Sequence, residues 1–176
     1  VPNGGHGTRV AGAVLYPNTV PQSGQQQAAC WLQNARVLDK ECSLPQALYP
    51  PILIADIIEF YQEKTKTRIF NHSITASVPC RNQYMSAWAA EIDNLIWQHD
   101  ILFIVAAGNL PIDIRIGNSR LSVKDHIENG NTYPNYLLEN SCRVPNPAQS
   151  FQALTVGSVS SKTFQDISRT SIAQKD

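Results

Sequence analysis

His6, Asn109 and the pair Asn71 and Ser73 are the residues whose types and settings suit chemistry. His6 sits in GGHGTRVAG, residues 4–12, with glycine on each side. Imidazole has the side-chain pKa nearest neutrality, so it is the usual general base. The glycines let the backbone turn tightly and let another group approach. The residues Thr8–Val14 read as the first turns of a buried helix, which puts the imidazole at a helix start. The positive end of the helix dipole disfavours an imidazolium there and leaves the ring free to accept a proton. Asn109 closes the run ILFIVAAGN, residues 101–109, and Asn71 and Ser73 lie in TRIFNHSI, residues 67–74. Both runs read as strands with polar groups at their carboxyl ends.

The elements that must position these groups alternate. Residues 6–15 read as a helix, residues 17–27 as a surface loop rich in Pro, Gln, Ser and Gly, and residues 30–38 as a strand. Residues 52–65 place Leu53, Ile54, Ile57, Ile58 and Tyr61 at helical intervals, with Asp56, Glu59 and Glu63 as a solvated face. Residues 85–99 repeat that pattern with Trp88, Ala89, Ile92, Leu95 and Ile96. The continuous apolar run from residue 101 predicts a strand buried on both faces of a parallel sheet. Residues 110–147 read as irregular, and ALTVGSV, residues 153–159, as a last buried strand. This order predicts an α/β fold, a mostly parallel β-sheet with helices on both faces. Sites in such sheets form at the carboxyl ends of strands.

Composition narrows the function classes. The chain has 176 residues, 43% hydrophobic and 16% charged, which is enough to build one sizeable core. Fourteen basic and fourteen acidic side chains leave no net charge and no basic stripe, so nucleic acid is not an expected partner. No apolar run approaches the length of a membrane span, and no signal peptide is visible. Cys30, Cys42, Cys80 and Cys142 lack the Cys-x-x-Cys spacing of zinc sites. Their scatter favours free thiols in a reducing compartment, which leans toward the cytoplasm. No Asp-x-Asp-x-Asp run suggests a calcium loop. No cofactor or metal is expected.

Several segments, in order and over nearly the whole chain, resemble one family. GGHGTRVAG is similar to the catalytic-histidine motif His-Gly-Thr-His-Val-Ala-Gly of the subtilisin-like serine peptidases, with Arg9 where the second histidine usually stands. FNHSITA, ILFIVAAGN and ALTVGSV resemble the family's Asn-x-Ser strand, its Ala-Ala-Gly-Asn strand and its Val-Gly strand. The resemblance implies a subtilisin-like three-layer sandwich and hydrolysis of peptide bonds in a peptide or protein substrate. It implies His6 as general base and Asn109 as donor to the oxyanion. Ala106, Ala107 and Gly108 would wall the pocket for the residue before the scissile bond. Ser73, Ile74 and Thr75 would form the other wall and pair with the substrate as an added strand. Thr75 stands where the family usually has glycine, which bears on the pocket's width.

The family's triad runs Asp, His, Ser along the chain. No aspartate precedes His6, and Asp39 follows it against that order. The string RTSIA, residues 169–173, has Arg169 in place of the motif's glycine, and Ser171 follows the Val156-Gly157 strand too closely. The expectation is therefore that residues 1–176 are the central part of one peptidase domain. The upstream aspartate strand and the downstream serine helix would lie outside them, and such a piece would be inactive alone and prone to self-association. A catalytically inactive, subtilase-like domain that binds peptides or proteins is the alternative. The plain readings also stay open: a Gly-Asn turn at 108–109, strand-end capping by Asn71 and Ser73, and surface or core places for His72, His99 and His126.

Overall fold

The computed structural model describes residues 5–19, 21–41, 43–113, 120–159, 164–165 and 171–173. The chain folds as two compact units, residues 1–53 and 54–176.

In the first unit, helix α1 spans His6–Leu15. Gly5 precedes it with φ 112°, a left-handed conformation that glycine adopts without a Cβ penalty. The Arg9 amide donates to the Gly5 carbonyl at 2.8 Å and closes the first turn. The helix is not buried as expected, since none of its residues is buried. The described chain between residues 16 and 49 is loop and turn, so it offers no helix or strand for α1 to pack on. The strand expected at residues 30–38 does not form for the same reason. A strand exists only by pairing, and no partner strand is described in this unit. Trp31 in that segment is fully exposed. Asp39 closes a tight turn, its carboxylate accepting from the amides of Glu41 and Ser43 at 3.0 and 2.9 Å.

Helix α2 spans Pro50–Thr65. It starts two residues earlier than expected, because proline is tolerated in a first turn where amides lack partners anyway. The second unit holds strand β1 (Ile69–His72), helix α3 (Ala87–His99), strand β2 (Leu102–Ala106), a short helix α4 (Val123–Glu128) and strand β3 (Leu154–Val156). Strands β4 (Phe164–Gln165) and β5 (Ser171–Ala173) form an antiparallel pair. The main sheet has the order β1-β2-β3, all parallel, with His72 beside Val105 and Ala106 beside Val156. This is the expected α/β class.

Ser86 caps α3 by accepting from the Ala89 amide at 3.1 Å, and Asp100 ends it at φ 49°. Arg68 clamps the next turn with donations to the Asp100 carbonyl and a pairing with its carboxylate. The core joins Ile54 and Ile58 of α2, Ile92 and Leu95 of α3, Ile101, Ala148, and Phe103 and Val105 of β2. Burial along β2 is one-sided. Phe103 is 3% and Val105 0% exposed, but Leu102 is 45% exposed. Leu154 and Val156 of β3 are also about half exposed, against the expectation of a buried strand. β3 lies at the sheet's edge among the described strands and pairs on one side only.

His72 belongs to the core. It meets Trp88 edge-on at 5.5 Å and Phe103 at 5.7 Å, and its buried Nε2 has no hydrogen-bond partner. Burial lowers its pKa from 6.5 to about 4. As pH falls below 6.5 the unfolded chain takes up a proton that the folded chain refuses, so stability drops until the folded ring protonates near 4. We expect urea titrations to show a pH-dependent loss of up to about 3 kcal/mol across that window, and His72→Phe to remove it. An identical pH dependence in the variant would contradict this burial.

Candidate active site

The parallel pairing of β1 with β2 brings two of the expected groups together. Both strands end at one level, so Ser73, Ile74 and Thr75 leave β1 beside Ala106, Ala107 and Gly108 leaving β2. The Ala107 amide extends the ladder to the Val156 carbonyl at 2.8 Å. Gly108 then turns the chain at φ 87°. A Cβ at Gly108 would stand 2.4 Å from Cγ of Pro145 and 3.6 Å from the Thr75 hydroxyl. Only glycine satisfies both the dihedral and the space. Asn109 follows the turn and is exposed, and its amide has no hydrogen-bond partner among the described residues. Asn71 donates to the Ser73 hydroxyl at 3.0 Å, so the two satisfy each other and not the strand backbone.

Residues 144–150 complete this region, and sequence reasoning missed them. The Ala76 amide donates to the Asn146 carbonyl at 2.7 Å, and the Cys80 amide to the Val144 carbonyl at 2.9 Å. These bonds lay residues 144–146 antiparallel to residues 76–80, with Pro145 buried against Gly108. Asp93 on α3 holds the far end: its carboxylate accepts from the Ser150 hydroxyl and from the amides of Phe151 and Gln152 at 3.1 and 2.9 Å. Gln149 accepts from the Ser86 amide at 2.9 Å and adds a second tie to the helix. A carboxylate on an otherwise apolar helix face was the available sign of Asp93. Nothing local marked Pro145.

The stretch 110–147, expected to be irregular, holds α4 and two single 3-10 turns. Ser122 and Asp125 start α4 with a reciprocal capping box, legible as Ser-x-x-Asp but overlooked. His126, read as a surface or core residue, is core: it stacks on Tyr136 at 5.6 Å and bonds Ser141 at 3.0 Å.

His6 lies in the other unit, as the first residue of α1, and is exposed. Arg9 is exposed too, and its guanidinium lies 3.5 Å from where a Cβ on Gly5 would stand. Ser171 is in β5, its backbone paired with Gln165, rather than at a helix start. The residues from 166 to 170, Arg169 among them, and Cys42 lie outside the described residues. Cys30, Cys80 and Cys142 carry free thiols. No helix among the described residues is long and apolar enough to cross a membrane.

A family model described as the subtilase family matches residues 1–175. The chain belongs to the subtilase family. Subtilases are serine peptidases, and their substrates are peptides and proteins. A curated relative, the uncharacterized protein y4bN of Sinorhizobium fredii (strain NBRC 101917 / NGR234), is 37% identical over 76 residues. That match covers 43% of this chain and 16% of the relative, far less than two thirds of its length.

Gly108→Ala tests the geometry of this subtilase's β2 turn. We expect a cost on the order of 1–3 kcal/mol, from the forbidden φ and the collision with the Pro145 ring, read as a lower melting temperature. An unchanged melting temperature would show that Pro145 does not sit on Gly108.

Proposed function

We propose that residues 1–176 are the central part of one subtilisin-like domain that hydrolyses peptide bonds, with His6 as general base and Asn109 as oxyanion donor. The observation that supports this most is the shared end of β1 and β2. There an exposed Asn109 amide follows a forced glycine turn, beside a segment whose backbone can pair with an extended peptide. The His6 motif, at a helix start after a left-handed glycine, supports the base.

On this reading a serine from outside residues 1–176 attacks the scissile carbonyl and gives its proton to His6. An aspartate, also from outside, orients the imidazole. The carbonyl oxygen gains charge as the tetrahedral intermediate forms, and the Asn109 amide donates to it. His6 then returns the proton to the leaving amine. Ala106, Ala107 and Gly108 on one side, and Ser73, Ile74 and Thr75 on the other, receive the residue before the bond.

Asn109→Ala in the full-length protein that carries this chain is the test. The expected result is a fall of about 10²–10³ in kcat with KM little changed, the magnitude known for a subtilisin asparagine in this role. A rise in KM alone, with kcat intact, would show that Asn109 helps bind the peptide and is not the oxyanion donor.

A further inference from the structure

We infer that the pocket before the scissile bond admits only small side chains, so the substrates are peptides with Ala, Ser or Gly at that position. The inference rests on the proposed peptidase reading, and it names the substrate class.

The argument starts from Gly108. In its turn the direction where a side chain would point is already taken by the Pro145 ring, with Cγ and Cδ at 2.4 and 2.6 Å. The Thr75 hydroxyl, on the segment expected to form the other wall, lies 3.6 Å from the same point. A flat aromatic ring needs about 7 Å between the heavy atoms that sandwich it, because each contact wants about 3.5 Å. Two atoms lying 2.4 and 3.6 Å from one point cannot be that far apart. The Pro145 ring and the Thr75 hydroxyl therefore leave no room for a flat ring between them at the Gly108 turn.

The closure is built in and does not depend on one flexible side chain. Proline's ring has little freedom to swing aside. Pro145 is fully buried, and its neighbours are stitched to the facing segment through Ala76–Asn146 and Cys80–Val144. Asp93 and Gln149 tie the following turn to α3, so the segment cannot lift as a unit without breaking those bonds. The atoms nearest the Gly108 side-chain position belong to Pro145 and Thr75, neither of them charged, so nothing at that point would favour a lysine or arginine over a small neutral residue.

The experiment compares two peptides, identical but for Ala or Phe before the scissile bond, with the full-length protein. A fluorophosphonate probe reports separately whether a competent serine is present. We expect labelled protein whose kcat/KM for Ala exceeds that for Phe by at least tenfold. Thr75→Gly and Pro145→Gly should each raise the Phe rate at least tenfold, narrowing that ratio. Thr75→Gly changes a half-buried residue and keeps the test open if Pro145→Gly fails to fold. Labelled protein that cuts Phe as fast as Ala, or an unchanged ratio in Thr75→Gly, overturns the small pocket and leaves the peptidase reading standing. Protein that neither labels nor cuts overturns both.

Discussion

Strand β2 is the constraint on which the second unit depends. It is the centre of the parallel sheet, hydrogen-bonded to β1 on one side and β3 on the other. Its inward side chains, Phe103 and Val105, meet Ile92 and Leu95 of α3 and Ile54 and Ile58 of α2 in one cluster. Burying a side chain of this kind contributes about 1.5–3 kcal/mol, so the cluster fixes the strand's register as well as its place. The loops at its carboxyl end inherit that precision. Thr75, Gly108 and Pro145 converge because three segments are hung from one rigid pair of strands.

Polar ties carry that order outward. Asp93 collects three donors from the chain just before β3, which joins the helix that builds the core to the turns that press Pro145 on Gly108. Hydrogen bonds to a charged acceptor are stronger than neutral ones, and one carboxylate taking several donors resists rotation. His72 shows the opposite bargain. It fills space between Trp88 and Phe103 as an uncharged ring with an unpartnered nitrogen, a place that disfavours the charged imidazolium.

What could be read in advance followed the periodicity of the chain. Helices α2 and α3 were legible because their apolar spacing reports the buried face, and β1 and β2 because β-rich and apolar runs read as strands, although β2 is buried on one face and not on the expected two. Ile92 and Leu95 sit where such a pattern puts them. The strand expected at residues 30–38 failed because alternation gives a strand no partner, and pairing is a property of other segments. The depth of α1 and β3 failed likewise, since burial depends on what covers a face and not on the face alone. Among the expected site residues, His6, Asn109 and the small residues before Asn109 were carried by motifs. Pro145 was not, because its contact with Gly108 spans 37 residues and arises from antiparallel pairing that has no local signature.

The central claim is that His6 activates a serine. The most direct measurement is the rate of fluorophosphonate labelling of the full-length protein, wild type against His6→Ala, with the modified serine located by peptide mapping. The account predicts rapid labelling at one serine outside residues 1–176 and a fall of at least 10³ in His6→Ala, since a serine without its base is a weak nucleophile. Equal labelling in the two proteins, or a label on Ser171, would contradict it.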